Sequence, residues 1–250
     1  MSTVRANVSA AEWQTRVDLA ACYRLIAANG WDDLIFTHIS ARVPGPDEHF
    51  LINPYGMLFS EITASSLVKV GLDGKKVIES PFEINPAGFL IHSAVHAARH
   101  DVICVLHTHT ADGVAVAAQA EGLLPLSQQS IFPLSSLSYH DYEGVVLNPD
   151  EQARLVKDLG RTGYMVLRNH GLLTAGPSIA DAFLMMHTLQ TACTIQVRAM
   201  AGGVPVRRIP QTIVDGAAEM SRRGLLNAGG ALAWPALLRK LDRLNPGYAD

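Results

Sequence analysis

The alternation of hydrophobic and polar positions along the chain predicts short strands interleaved with helices. The first helix begins after a Ser9-x-x-Glu12 capping box, continues through apolar residues at helical spacing, and ends at Gly30. A later helix begins after Ser178 and runs to about Met200. The other predicted helices are 87–99, 111–120 and 151–159, and the predicted strands are 34–43, 50–52, 67–70, 76–78, 102–107, 165–168 and 172–175.

This order of elements predicts the α/β fold class, with a central sheet. The 250 residues contain no internal repeat, low-complexity tract or linker. A single domain over 1–250 is therefore expected, with a looser C-terminal tail from about residue 202.

The composition is that of an ordinary globular protein, with 48% hydrophobic residues, 17% charged residues and a formal net charge of −3. No basic stripe favours a nucleic-acid partner, and no apolar stretch is long enough to span a membrane. Cys22, Cys104 and Cys193 lie far apart in apolar surroundings. This pattern predicts reduced thiols in the core and a cytoplasmic location.

A candidate metal site lies at the end of the apolar strand 102–107. Residues i and i+2 of a strand point to the same face, so His107 and His109 should converge on one point. His170 likewise follows an apolar strand, and the adjoining Gly171 would let the backbone turn tightly. Neutral imidazole is a common ligand of divalent metals, so these histidines are predicted to bind one ion. The alternative is three unrelated histidines, each hydrogen-bonded to the backbone.

Other polar residues leave more than one interpretation open. His92 and His96 have i, i+4 spacing on a predicted helix but lack the glutamate of the metalloprotease pattern, so they are interpreted as ordinary helix-face residues. His38 could face a pocket or pack locally. Tyr139, His140 and Tyr142 fall in a predicted loop, where they could donate a proton to a substrate or simply pack together.

The chain resembles the class II aldolase/adducin family in four stretches, and the likeness runs from about residue 17 to residue 200. These stretches are Thr-His-Ile-Ser-Ala-Arg at 37–42, Ile-His-Ser-Ala-Val-His-Ala-Ala-Arg at 91–99, Val-Leu-His-Thr-His-Thr at 105–110 and Arg-Asn-His-Gly at 168–171. The resemblance implies a three-layer α/β/α sandwich with a mixed, mainly antiparallel sheet. It also implies a homotetramer in which His107, His109 and His170 bind one divalent ion per subunit, near a subunit boundary. Zn²⁺ is the expected ion, with Fe²⁺ or Mn²⁺ as alternatives.

The chain departs from the family's sugar-phosphate aldolases at their general acid/base. Those enzymes carry Ser-Ser-Glu before this helix, and the triplet falls on Pro86-Ala87-Gly88 here. Their Gly-Asn-x-Ser phosphate loop corresponds to Thr37-His38-Ile39-Ser40. The resemblance is therefore to an adducin-like branch without the aldolase glutamate, and the expected substrate is not a phosphorylated sugar. Substrate contacts are expected at His38, Gly88 and Asn169.

Three functions remain open at this point. The first is a metal-dependent lyase that cleaves or decarboxylates a small hydroxy or keto acid, with Tyr139 or His140 as the proton donor. The second is a non-haem Fe²⁺ oxygenase, because Gly88 and Asn53-Pro54-Tyr55-Gly56 are similar to the oxygenases of aminocoumarin biosynthesis. The third is a non-catalytic interaction module like the adducin head. Retention of all three candidate ligands favours an enzyme.

Overall fold

A seven-stranded mixed sheet organises the computed structural model, which describes residues 3–144, 150–222 and 229–250. The strand order is β3-β2-β1-β4-β7-β6-β5. Neighbouring strands are antiparallel except for the parallel pair β5 and β6. The α/β class and the mainly antiparallel sheet are thus confirmed. The strands are β1 His38–Arg42, β2 His49–Ile52, β3 Val68–Gly71, β4 Cys104–Thr108, β5 Leu137–His140, β6 Tyr164–Leu167 and β7 Gly171–Gly176.

Helices cover both faces of this sheet. Side chains of β4 alternate between the two faces. Leu106 joins a core that includes residues of the two long helices, 10–28 and 179–200, whereas Val105 joins a core with the helices 86–98 and 150–159. The arrangement gives three layers. The helices are α1 Thr3–Ala6, α2 Ala10–Ala28, α3 Pro86–Ala98, α4 Ala111–Ala117, α5 Gln128–Leu134, α6 Asp150–Leu159, α7 Ile179–Met200, α8 Gln211–Arg222 and α9 Gly229–Leu244, with a short 3₁₀ helix at Phe59–Glu61.

Helix α2 begins where its capping residue predicts. The Ser9 side chain accepts a hydrogen bond from the Glu12 N–H at 3.1 Å. The Glu12 carboxylate instead forms ion pairs with Arg16 at 3.0 Å and with Lys69 on β3 at 2.8 Å. The Arg16 side chain is only 1% exposed, so its charge is satisfied inside the protein by this carboxylate and by backbone carbonyls.

Two predicted strands were wrong in part. Residues 34–37 precede β1 as a turn, in which Leu34 has a φ of 50° and the Phe36 N–H bonds to the Asp33 carbonyl. Apolar residues in this segment imitate a strand, but the backbone has to turn here before it enters the sheet. The predicted strand 76–78 contributes a single bridge, between Val70 and Lys76.

Sequence patterns also missed several elements. Strand β5 occupies a predicted loop, and α1, α5 and α8 were not predicted. Helix α9 contains Pro235 and begins at a glycine pair, signals that normally argue against a helix. It packs on α7 and α2, and the Trp234 Nε1–H donates to Asp18 at 2.9 Å. Tertiary packing therefore overrides the local signals. Within the described ranges, no helix has the length and apolar character needed to cross a membrane.

Candidate metal centre

Three histidines meet at one edge of the sheet. His107 lies near the end of β4, His109 follows that strand, and His170 lies in the turn between β6 and β7. Their ring centroids are separated by 4.6 Å (107 to 109), 4.8 Å (107 to 170) and 4.8 Å (109 to 170). One nitrogen from each ring falls within 4.8 Å of the other two. The rings that the sequence singled out are thus brought together.

The turn before β7 positions the imidazole of His170, the third histidine of the cluster. Asn169 has a φ of 57°, in the left-handed region that asparagine tolerates better than most residues, and the His170 N–H bonds to the Leu167 carbonyl at 3.1 Å. Gly171 does not have a positive φ, so the expectation that it allows a tight turn was wrong. Its role is spatial, because a β-carbon there would lie 2.4 Å from the Thr108 carbonyl oxygen.

Hydrogen bonds orient two of the three rings. The His107 Nδ1 lies 2.9 Å from the Leu172 carbonyl oxygen, and the His109 Nδ1 lies 3.0 Å from a carboxylate oxygen of Asp33. Both oxygens are acceptors, so each Nδ1 carries the proton and each neutral ring keeps a lone pair on Nε2. These two Nε2 atoms are 2.8 Å apart. Two lone pairs that face each other suit a shared cation, so the donor set fits a divalent ion.

Burial favours the neutral form of His107 and His170. It lowers the pKa of His107 well below the usual histidine value, with further lowering by the neighbouring histidines. Burial, followed by the charges of His109 and His140, lowers the pKa of His170 to about 4. Metals bind neutral imidazole, so at neutral pH neither ring has to lose a proton before binding.

The position of the absent glutamate is filled by an imidazole. A β-carbon built on Gly88 would lie 2.4 Å from Cδ2 of His38 and 2.8 Å from its Nε2. His38 pairs with His107 across β1 and β4, and their ring centroids are 5.1 Å apart. His38 therefore lies beside the cluster. This position favours the interpretation that it faces a pocket over the interpretation that it only packs locally.

His92 and His96 are not ordinary helix-face residues, because both are fully buried. The His92 Nε2 is 2.8 Å from the His38 Nδ1, and Ser40 Oγ bridges the His92 Nδ1 to the His96 Nε2. His38, His92, Ser40 and His96 thus form a continuous hydrogen-bonded chain that ends beside His107 of the candidate metal centre. Neither His92 nor His96 belongs to the candidate ligand set.

Tyr139 is not brought to the cluster. It packs with the core on the α7 face, its hydroxyl oxygen accepts a bond from the Leu123 N–H at 3.0 Å, and the Arg168 guanidinium lies 4.2 Å from its ring centroid. These contacts occupy the hydroxyl and the ring in a structural role, which argues against the proton-donor assignment.

His140 lies on the cluster's side of the sheet. Its Nδ1 is 2.8 Å from an Asp158 carboxylate oxygen, and its Nε2 is 3.5 Å from one of Glu151, both on α6. A small cavity is lined by His140, Glu151, Tyr142 and His170, among other residues. Asp33 and Glu151 are the polar residues that sequence reasoning missed. The Trp31-Asp32-Asp33 run after a helix-ending glycine was the available signal for Asp33.

The fold and this histidine arrangement define the class of protein. Residues 17–197 match the profile of the family described as "Class II Aldolase and Adducin N-terminal domain", so the chain belongs to that family. It is 67% identical over 248 residues to a Pseudomonas aeruginosa protein provisionally named as an aldolase class 2 protein, covering 98% of this chain and 95% of the relative.

Two further relatives show the breadth of the family. A crystal structure of an aldolase II superfamily protein from Pseudomonas syringae superposes with a TM-score of 0.94 at 51% identity, covering 99% of both chains. Mouse alpha-adducin is 48% identical over 189 residues, which represent 74% of this chain and 26% of the adducin.

Proposed function

We propose that the protein is a divalent-metal-dependent lyase that cleaves or decarboxylates a non-phosphorylated hydroxy or keto acid. The observation that carries this proposal is the convergence of His107, His109 and His170, with Nδ1 of the first two held by hydrogen-bond acceptors. A non-catalytic scaffold has no need of rings oriented for a cation.

Different residues would bind the ion, orient its ligands and donate a proton at this centre. The three histidines would hold the ion, and Leu172 and Asp33 would orient two of the rings. A divalent ion bound there supplies positive charge that polarises a carbonyl group. His140, in the adjoining cavity, is the candidate proton donor. Asn169 shapes the turn, and its contact with substrate remains a proposal.

The local charge supports an acid as the substrate. Three neutral imidazoles leave a divalent ion with its full charge, which attracts a carboxylate. The glutamate position is Gly88, and the hydroxyls that hold phosphate in sugar-phosphate aldolases are replaced by Pro86 and Ala87. Zn²⁺ is the proposed ion, because imidazole suits it, although Fe²⁺ and Mn²⁺ also fit these ligands.

An anaerobic screen tests this proposal. Purified protein loaded separately with Zn²⁺, Mn²⁺ or Fe²⁺ is incubated with aliphatic and aromatic hydroxy and keto acids, and aldehyde and carbon dioxide are measured. We expect release that disappears in His170→Ala and persists in His100→Ala, whose exposed imidazole lies outside the cluster. Brisk turnover of fuculose or ribulose phosphates would overturn the substrate class, and oxygen uptake that depends on Fe²⁺ would favour an oxygenase instead.

The similarity to adducin supports a second candidate, an interaction module without catalysis. Elemental analysis of freshly purified protein separates the two functions. A stoichiometric ion that is lost in His170→Ala supports the lyase, whereas no bound metal and no change in the variant support the module. A homotetramer with the centre near a subunit boundary is proposed for either function, and light scattering measures its mass.

A further inference from the structure

A buried polar chain runs from the interior of the α3 layer to the metal centre. We use this name for His96, Ser40, His92 and His38, which are joined by consecutive hydrogen bonds. All four residues are at most 4% exposed. At one end, the His96 Nδ1 has no hydrogen-bond partner among the described residues. At the other end, the His38 Nε2 is left for a ligand, since the hydrogen bond of this ring uses Nδ1.

A cation beside His96 sets the direction of the chain. Arg42 donates from Nη2 to the His96 carbonyl, and its own Nε is a buried donor without a partner in the described part of the structure. A fixed positive charge disfavours an N–H and favours a lone pair on the nearby imidazole. Burial, and then Arg42, lowers the pKa of His96 to about 3, so that ring is neutral. Its one proton belongs on Nε2, because Ser40 Oγ lies 2.8 Å from that nitrogen and can accept it, whereas a proton on Nδ1 would have no acceptor among the described residues.

The remaining protons follow in sequence from that first one. Among the described residues, Ser40 Oγ bonds only these two ring nitrogens, so once it accepts from His96 its hydroxyl proton has only the His92 Nδ1 as an acceptor. His92 then carries its proton on Nε2 and donates it to the His38 Nδ1. The reverse direction would leave the His96 Nδ1–H buried without an acceptor among the described residues, in a residue whose carbonyl already contacts the positive charge of Arg42, and this is the costlier arrangement.

We infer that the buried polar chain fixes one tautomer of His38, so that its Nε2–H stands beside the histidine cluster as a hydrogen-bond donor for an anionic oxygen of the ligand. This inference rests on the proposed metal centre for its ligand, but not for the tautomer itself. Because Gly88 has no side chain, it leaves the space that the His38 ring occupies. A carboxylate at this position would have repelled such an oxygen, whereas the His38 N–H attracts it. The site therefore suits a ligand whose oxygen bridges a cation and a donor, as in a carboxylate or an enolate.

The tautomers are measurable in metal-free protein. Two-bond ¹H–¹⁵N spectra of protein labelled with ¹⁵N-histidine distinguish Nδ1–H from Nε2–H rings, and His38→Asn assigns the His38 signal by its loss. We expect His38, His92 and His96 to be neutral Nε2–H tautomers near neutral pH. An Nδ1–H tautomer at His38 would overturn the inference. Once the His38 signal is assigned, the spectrum of the wild-type protein alone is enough to show it.

The positioning role of Ser40 has its own control. Ser40→Ala interrupts the buried polar chain, and we expect both tautomers of His38 to appear, whereas Ser40→Thr keeps a hydroxyl and should retain the wild-type pattern. An unchanged His38 spectrum in Ser40→Ala would show that the chain does not select the tautomer.

Ligand binding tests the donor directly. Oxalate is titrated into Co²⁺-loaded protein and followed by the visible spectrum of the cobalt. We expect His38→Phe to weaken oxalate binding about tenfold while Co²⁺ affinity changes less than about threefold, and His38→Gln, which keeps an N–H, to recover part of the loss. Equal oxalate affinity in His38→Phe and wild type would overturn the donor role. Failure of the wild type to bind Co²⁺ would instead count against the proposed function and leave the tautomer result standing.

Discussion

Gly88 on α3 and His38 on β1 are sterically coupled, since a β-carbon on the glycine would lie 2.4 Å from Cδ2 of the imidazole. At the same two positions the family's sugar-phosphate aldolases carry a glutamate and an asparagine. The aldolases thus combine a large side chain at position 88 with a smaller one at position 38, whereas this chain combines glycine at 88 with the larger imidazole at 38. The two departures from the aldolase pattern therefore act as a single change in the shape and charge of the site.

Substitution of Gly88 tests this coupling. We expect Gly88→Ala to lower the free energy of unfolding by about 1–3 kcal/mol through overpacking. The double variant Gly88→Ala/His38→Asn should recover part of that loss, because the smaller side chain vacates the space. Urea denaturation measures both. Gly216→Ala is the matched control, since it lies in a helix with no atom within 4 Å of the new β-carbon and should be neutral or stabilising. Additive effects of the two changes at the site would contradict the coupling.

Replacement of Asp33 should weaken metal binding. Its carboxylate accepts the His109 Nδ1–H at 3.0 Å and so orients the ring. We expect Asp33→Ala to lower the affinity for Zn²⁺ about 10- to 100-fold, measured by competition with a chromophoric chelator. Asp32→Ala removes a neighbouring carboxylate that makes no hydrogen bond or ion pair with His109, and its affinity should remain that of the wild type. Similar affinities in both variants would rule out the orienting role.

Two substitutions at Asn169 separate its backbone role from a substrate contact. Asn169→Gly relieves the left-handed backbone, whereas Asn169→Ala should lower the free energy of unfolding by about 1–2 kcal/mol because alanine disfavours a φ of 57°. Thermal denaturation measures the difference. If Asn169 also contacts substrate, both variants lose activity to a similar degree, since neither has the amide. Equal stability of the two variants would contradict the backbone argument.

Stability should fall as the pH drops below about 6.5. Burial lowers the pKa of His96 to about 3 and lowers that of His92 well below its usual value. Below the pKa that His92 and His96 have in the unfolded chain, these rings bind protons when the protein is unfolded but not when it is folded. Acid therefore favours unfolding. Each ring should contribute up to about 1.4 kcal/mol per pH unit between its unfolded and folded pKa values.

Urea denaturation across this pH range measures that dependence. His96→Phe should reduce the slope by one proton, while His100→Gln, at an exposed imidazole, should leave it unchanged. A free energy of unfolding that stays constant from neutral pH to pH values well below 6.5 would contradict the prediction.

Much of the site could be predicted from local sequence. His107 and His109 are two residues apart at the end of an apolar strand, and strand geometry alone directs their rings together. Ser9 and Ser178 cap the helices that follow them, because a side chain needs only its own neighbours to bond the first free N–H groups. Asn169 and Gly171 flank His170 and mark a turn in the sequence. The positive φ falls on Asn169, whereas Gly171 is needed because a β-carbon there would lie too close to the Thr108 carbonyl oxygen.

The rest depended on contacts between distant parts of the chain. Asp33 and His109 are 76 positions apart, and His38 and His92 are 54 apart. Such pairs leave no periodic signal, because their distance depends on how α3 and the turn before β1 pack on the sheet. By itself the sequence determined which histidines are candidate metal ligands and where most elements lie, since spacing and capping act between neighbours. Only the tertiary structure decided what stands beside the ligands, because burial and hydrogen bonding are properties of the packed layers.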